Sequence, residues 1–482
     1  MSACVRPRLP FVLPASEWWG RDGLRSVRKG VSVIARWALR KIFERVGSKS
    51  QDTALRVEFS DGSVCRVASS EGRREVLVRF RSPQAEWYTL LFLYEGLFEC
   101  YVSGDVDLEG EQPIGTLARL GHSAGLASGK FWFLLLRNPL NEVRQRAQES
   151  RQDGSGRAQA IRNADFHYSL NPALFEAMLG DTVGYSEGLW TADTKTLNQA
   201  KFNNYEYICR KLRLEPGMTV LEVGAGWGYM PIYMAKRYGV QVTVYNPVRR
   251  QNDYMRERLR RHGVGEKIRL IEGDHRDIVQ ESGRFDRFVS VGVHEHAGYS
   301  LKQYRLWAEA IAAALKDGGL GVVSTTSWMV RQMTGLLTLK YIFPGGHVPS
   351  LPDTLAAFER AGLMLVEVES LWPHYQRTMD EWRKNFAKAW PEIQKSDPSV
   401  FTETFRRRWT LYLEGTGEAF GDSLDLSHIT FAKGRRANHF PPWRGSPRVE
   451  AELIGGDQEP ECFKSLFDSA KRGDFEILRC VS

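Results

Sequence analysis

From about residue 166 to 435, short apolar runs alternate with longer segments of helical period. TVLEVG, QVTVYN, IRLIEGD, RFVSVGV and LGVVSTT read as strands, each separated from the next by enough chain for a helix. Near-continuous apolar strands spaced by helices predict an α/β fold: a doubly wound, mostly parallel sheet covered on both faces, with ligands at the carboxyl ends of its strands. Upstream, from about 52 to 112, the pattern shortens to alternating segments such as LRVEFSDGSVCRVA and REVLVRFRS, with a turn at Asp61 and Gly62, and predicts a smaller α+β domain. Before it, residues 24–46 place Leu24, Val27, Val31, Ile34, Trp37, Ala38 and Ile42 at helical spacing with Arg and Lys on the other face. This basic amphipathic helix is expected to dock on the following domain or to lie against anionic lipid headgroups, and the two are compatible. The stretch from Glu142 to Arg162 is rich in Arg, Gln, Gly and Ser with little apolar period, the composition of an exposed linker. The expected organisation is a helical region over 1–50, the α+β domain over 51–125, a linker over 126–165, the large α/β domain over 166–435 and a tail over 436–482.

A chain of 482 residues exceeds one ordinary core, and 42% hydrophobic with 26% charged residues excludes a mainly disordered protein. No run approaches the roughly 18 uncharged apolar residues of a membrane span. Charged residues from Arg21 onward interrupt any secretory signal core, so a cytoplasmic location is expected. The six cysteines show no C-x-x-C spacing, which indicates neither a zinc site nor a disulfide framework. A net charge of +8 suits an anionic partner, nucleic acid or the acidic face of a membrane. No base-flipping signature is visible, and nucleic acid is not an expected partner.

The most informative local motif is VLEVGAGWG, Val220 to Gly228, an apolar strand running into Gly224, Gly226 and Gly228 ahead of a helix. Glycines there let backbone approach a ligand and turn tightly. A dinucleotide fingerprint has G-x-G-x-x-G spacing and an acidic residue about 20 positions on. Here the spacing is G-x-G-x-G, and the acidic residue, Glu222, precedes the glycines inside the strand, placed to order the loop or to meet an ammonium group. His294, Glu295 and His296 invite a metal reading, which is set aside. Adjacent residues on an extended segment point apart, no H-E-x-x-H is present, and no metal is expected.

HYSLNPALFEAMLGDTVGYSEGLW, the glycine loop, FDRFVSVGVHEHAG, KYIFPGGHVPS, HYQRTMDEWRKNFAKAWPEI and RRRWTLYLEGTGEAF follow one another over about 166 to 435. In that order and spacing they resemble the cyclopropane-fatty-acyl-phospholipid synthases, and LYEGLFECYVSGDVDLEG at 93–110 resembles that family's N-terminal domain. The resemblance implies a class I methyltransferase fold of Rossmann-like type with S-adenosylmethionine as methyl donor. It implies a cofactor pocket that includes Tyr185, Ser186, Gly224, Gly226, Asn246, Gln251, Asp274 and His275. In typical members a bicarbonate ion serves as base, held by a Cys, a Glu, a His and a Tyr. The Glu and Tyr are retained as Glu295 and Tyr375, whereas Glu187 stands for the Cys and Ser324 for the His. Tyr168 is retained and the Asp that follows it is Ser169.

A carboxylate at Glu187 can take over from the ion as a built-in base, and among apolar walls its pKa is expected to be raised. The implied function is transfer of a methyl group to the double bond of an unsaturated phospholipid acyl chain, giving a cyclopropane or a methyl- or methylene-branched chain. The alternatives are a small-molecule amine methyltransferase, whose plant members share much of this core, and a lipid-binding relative without catalysis. The expected partners are unsaturated phospholipid acyl chains, the anionic inner face of the membrane as a peripheral surface, and a second copy of the chain.

Overall fold

The computed structural model describes residues 25–48, 53–67, 74–123, 138–298, 300–329, 332–420 and 422–434. The expected tail at 436–482, residues 126–137 of the expected linker, Leu24, and Cys4, Cys462 and Cys480 lie outside this set. Two compact units emerge. Met1–Arg146 with Thr402–Gly415 forms one, and Ala147–Phe401 with Thr416–Ser482 the other.

The first unit is built on β1 (Thr53–Glu58), β2 (Val64–Val67), β3 (Arg74–Phe80) and β4 (Val106–Glu109) in the order β2-β1-β3-β4. β1 and β2 pair antiparallel across the Asp61-Gly62 turn, where Gly62 takes a φ of 85° that a side chain would resist. Helix Arg25–Gly47 packs on this sheet, but on a different face from the one its sequence suggests. Ala35, Leu39, Phe43 and Val46 are buried, at spacings of four, four and three, while Ile34 and Trp37 are 60% and 64% exposed. The reason is electrostatic. Arg36 is drawn inward to Asp61 and to the fully buried Glu86, whose carboxylate also accepts from Ser60 N at 2.8 Å and Ser60 Oγ at 2.7 Å. With Arg36 inward, Val33, Ile34 and Trp37 face outward.

The second unit carries the expected doubly wound sheet. β5 (Thr219–Val223), β6 (Gln241–Asn246), β7 (Ile268–Glu272), β8 (Phe285–Val291) and β9 (Leu315–Trp328) are the five strands read from the sequence, and they pair in parallel. Two further strands, β10 (Leu363–Ser370) and β11 (Leu424–Lys433), complete the order β10-β11-β9-β8-β5-β6-β7, and β11 runs antiparallel to both neighbours. Apolar clusters fill both faces: one around Ile208, Ile232, Val242 and Met255, the other around Leu221, Phe288, Trp307 and Phe431.

The segment expected as an exposed linker between Glu142 and Arg162 is instead largely helical, in Pro139–Arg151 and Arg157–Tyr168. Polar side chains help to anchor these two helices. Asn141 Nδ2 donates to Phe92 O at 3.0 Å, Asn163 Nδ2 to Gln152 O at 2.7 Å, and His167 Nδ1 lies 3.0 Å from Ile342 O.

Replacing Glu86 by Ala removes the buried acceptor shared by Arg36 and Ser60, and the loss of this multiply bonded carboxylate is expected to cost about 3 kcal/mol. Limited trypsin digestion of E86A should cut helix Arg25–Gly47 well before the second unit, and a cleavage pattern identical to wild type would refute this anchoring role.

Candidate active site

The glycine loop leaves the end of β5 between β6 and β8. Gly224 N donates to Tyr245 O at 2.8 Å, and Gly224, Gly226 and Gly228 all have positive φ. The three serve different ends. A Cβ on Gly224 would sit 2.2 Å from Val293 Cγ2 and one on Gly228 2.4 Å from Met255 Cγ, so both are demanded by packing. A Cβ on Gly226 would meet only Gln251 Nε2, at 4.0 Å, and thus looks onto open space. Around that space stand the carboxyl ends of neighbouring strands. Asn246 closes β6, donates to Gln251 Oε1 at 3.3 Å and to Asn252 Oδ1 at 2.8 Å, and its carbonyl accepts from Gly273 N, ahead of Asp274 and His275 after β7.

Glu222 is buried beneath the loop. Burial pushes its carboxyl up to about 8, and its Oε2 has no partner among the described residues. An unsatisfied buried acceptor beside an open glycine fits the ammonium-bearing end of S-adenosylmethionine. Asp274 differs. Burial raises it, but hydrogen bonds from Arg276 outweigh this and hold it below the ordinary range. His275, edge-on to Trp307 at 5.3 Å between ring centroids, is pushed down to about 4 by burial and is neutral at physiological pH.

Glu187, buried at 1% exposure, lies in the loop that precedes helix Leu197–Lys211. Its Oε1 accepts three bonds: from Ser324 Oγ on β9 at 3.0 Å, from His428 Nε2 on β11 at 2.8 Å, and from Asn204 Nδ2 on the helix at 3.1 Å. Two of the positions that depart from the family pattern, 187 and 324, are therefore bonded directly to each other. The expectation of a raised pKa at Glu187 is overturned. Burial does push it up, but the hydrogen bond and charge of His428, its own backbone N–H and the charge of Lys201 outweigh burial and hold it down at about 2. Lys201, itself fully buried, donates to Ser186 O and to Glu187 O and lies 4.8 Å from the centroid of the Trp382 ring; burial lowers it to about 7 against the pull of Glu187.

Glu295 is tethered to the same strand two residues further on, its Oε1 accepting from Thr326 N at 2.7 Å. Burial raises it to about 7 against those backbone bonds, and its Oε2 has no partner among the described residues. His294, Glu295 and His296 form a 3-10 turn, not the extended segment expected. Its side chains diverge, His294 Nε2 lying 2.9 Å from Thr354 Oγ1 and His296 Nε2 3.3 Å from Tyr168 OH. Tyr185 is held by His167 Nε2 at 3.1 Å and lies in an aromatic wall with Phe175, Tyr168 and Trp382. Tyr375 joins that wall through Trp382, at 5.9 Å, and Phe420, at 4.6 Å, and is not among the groups bonded to Glu187.

Lys201, Asn204 and His428 escaped the sequence reading. The signal for the first two was present: Leu197, Lys201, Asn204 and Ile208 share one helical face, and a lysine among buried positions needs a reason.

The family model described as mycolic acid cyclopropane synthetase matches residues 156–429. A probable fatty acid methyltransferase of Pseudomonas putida is 30% identical over 397 residues, covering 81% of this chain and 94% of its own. The cyclopropane-fatty-acyl-phospholipid synthase of Escherichia coli is 32% identical over 270 residues, 56% of this chain and 67% of that one. Among solved structures, a mycolic acid cyclopropane synthase complexed with SAH and CTAB aligns with a TM-score of 0.52 at 25% identity, over 57% of this chain and 98% of its own. Coclaurine N-methyltransferase shares the fold at a TM-score of 0.54 and 18% identity, over 70% of this chain and 98% of that one.

Two outcomes follow for the pocket. G226V should abolish S-adenosylhomocysteine binding in calorimetry with the circular dichroism spectrum retained; binding at wild-type affinity would remove this glycine from the pocket. If the ligand ammonium meets ionised Glu222, binding must release the proton this residue holds below about 8. Affinity should then weaken as pH falls, approaching tenfold per unit below about pH 7, and E222Q should flatten that dependence. An equal slope in both proteins would separate Glu222 from the ligand.

Proposed function

Because the chain belongs to the mycolic acid cyclopropane synthetase family of S-adenosylmethionine-dependent methyltransferases, we propose that it methylates the double bond of an unsaturated acyl chain carried on a phospholipid, with Glu187 as the proton acceptor. The product is a cyclopropane or a methyl- or methylene-branched chain. The observation that carries the reading is the buried Glu187 carboxylate, bonded to Ser324 on β9, the strand whose Thr326 N–H holds Glu295.

When bound, S-adenosylmethionine supplies an electrophilic methyl group on a sulfonium. An alkene is a weak nucleophile, so the residues must position it and exclude water from the carbocation left on the chain. The faces of Tyr185, Phe175, Tyr168 and Trp382 suit both tasks, because an aromatic face attracts positive charge and offers no nucleophile. The cation then loses a proton. The C–H electron pair closes the three-membered ring or forms a new double bond, and the proton passes to Glu187. A carboxylate held at about 2 is a weak base, yet it is ionised across the working range, and an alkyl cation is a far stronger acid than any carboxylic acid. The residues present do not fit a bicarbonate ion. Glu187 uses the hydroxyl, amide and imidazole donors that could have held it, and a second anion beside this carboxylate would be repelled.

For the membrane, the support comes from the first unit. The outer face of helix Arg25–Gly47 presents Val33, Ile34 and Trp37 followed by Lys41 and Arg45, an apolar and then basic stripe suited to an anionic lipid surface on the cytoplasmic side. Among the described residues no helix is long and apolar enough to cross a membrane.

Lipids from a host expressing the chain, grown with methyl-labelled methionine, should gain one labelled carbon per modified acyl chain in mass spectrometry; no labelled acyl product would overturn the reading. E187Q should lose a factor of roughly 100 to 10,000 in turnover with little change in cofactor affinity, and the wild-type rate should not respond to bicarbonate. W37S combined with K41A and R45A should weaken binding to anionic vesicles, and added salt should weaken the wild-type binding. Salt-independent binding that the triple variant retains would remove this face from the interface.

A further inference from the structure

His428 stands in the middle of β11, a strand buried along nearly its whole length, and its register partners are Ser324 on β9 and Glu369 on β10. Its side chain is fully buried. Of the three groups that donate to Glu187 Oε1, it alone can carry a charge, and at 2.8 Å it makes the shortest bond. A ring nitrogen facing the oxygen of an ionised carboxylate at this distance must bear the hydrogen, since two lone pairs would repel, and Glu187 is held ionised. Nε2 is therefore the donor, while Nδ1 is buried with no partner among the described residues.

The other charged and titratable groups nearby have their own obligations. Glu369 accepts from Tyr207 OH at 2.7 Å and from Lys211 Nζ at 2.6 Å. His374, on helix Trp372–Ser396, accepts from Trp190 N at 3.0 Å through Nδ1. Lys201 is directed to the carbonyls of Ser186 and Glu187. Tyr207 lies against the imidazole with ring centroids 6.2 Å apart.

We propose that His428 is a positioning residue for methyl transfer: its Nε2–H fixes the Glu187 carboxylate in place and keeps it in the charged form that accepts the proton. This rests on the reading of Glu187 as the acceptor. Without a donor at position 428, burial acts on Glu187 against only two hydrogen bonds to Oε1 and a lysine aimed at backbone, so the carboxyl takes up a proton at neutral pH and cannot take another. The neutral amide of Gln at 428 can still donate to Oε1; Leu cannot.

The test uses the full chain with unsaturated phospholipid vesicles and S-adenosylmethionine. Wild-type kcat should show no acid limb from Glu187 between about pH 6 and 8. H428L should acquire one, falling about tenfold per pH unit, with the lipid KM and S-adenosylhomocysteine affinity unchanged, and H428Q should largely restore the flat profile. Infrared difference spectra against E187Q should show a protonated carboxyl in H428L at neutral pH and none in wild type. A wild-type profile in H428L, equal losses with flat profiles in H428L and H428Q, or a protonated Glu187 in the wild-type spectrum would each overturn the proposal. The last of these stands even if H428L fails to fold. E187Q with full activity would remove the parent reading, whereas an inactive E187Q beside an unchanged H428L would remove this inference alone.

Discussion

A buried anion without water must be repaid in hydrogen bonds, and in this protein one oxygen collects them. Glu187 Oε1 draws a hydroxyl from β9, an imidazole from β11 and an amide from helix Leu197–Lys211. Breaking such a set leaves an uncompensated charge worth several kcal/mol, so the three elements are not free to shift independently. The loop that carries Tyr185 and Ser186 is fixed by the same arrangement, because Lys201 binds the carbonyls of Ser186 and Glu187 from the helix that supplies Asn204. The loop bearing Tyr185 and Ser186 is thus joined to helix Leu197–Lys211 both through backbone carbonyls and through the Glu187 carboxylate.

Four carboxylates of the second unit illustrate how environment sorts a single functional group. Glu187 and Asp274 are both buried, yet both are held below the ordinary range because donors meet them. Glu222 and Glu295 are pushed up to about 8 and about 7, and each keeps one oxygen without a partner among the described residues. The satisfied pair carries fixed charge that organises the protein. The unsatisfied pair stores an unmet demand, which a ligand can answer in the way the surrounding chain does not.

The parallel part of the fold was legible because β5, β6, β8 and the centre of β9 are largely buried runs rich in apolar residues, and the edge strand β7 keeps the apolar Ile268, Leu270 and Ile271. β11 was harder to read. Its sequence LDLSHITFAK mixes Asp425, Ser427, His428 and Thr430 into a buried strand, which is stable because Ser427 bonds Ser327 Oγ and Asp425 accepts from Ser370 Oγ. That pairing across strands leaves no trace in one-dimensional periodicity. The same holds for the direction of the Glu187 pKa. The sequence places an acid in an apolar loop, but the histidine that reverses the effect of burial lies in a different strand. In helix Arg25–Gly47 the apolar stripe was visible and its orientation was not, since Arg36 turns inward for the distant Glu86.

His428 and Glu187 are separated by 241 positions along the chain, and β11 follows the other described strands in chain order. Until it is made, β9 and β10 have no strand between them, and the Glu187 carboxylate lacks its imidazole donor. A nascent chain that has already produced the glycine loop and its neighbouring strands therefore holds Glu187 without the imidazole that meets it in the folded protein. Insertion of this internal antiparallel strand joins β9 to β10 and brings the imidazole to the carboxylate in a single event that must await synthesis of a segment far along the chain from Glu187.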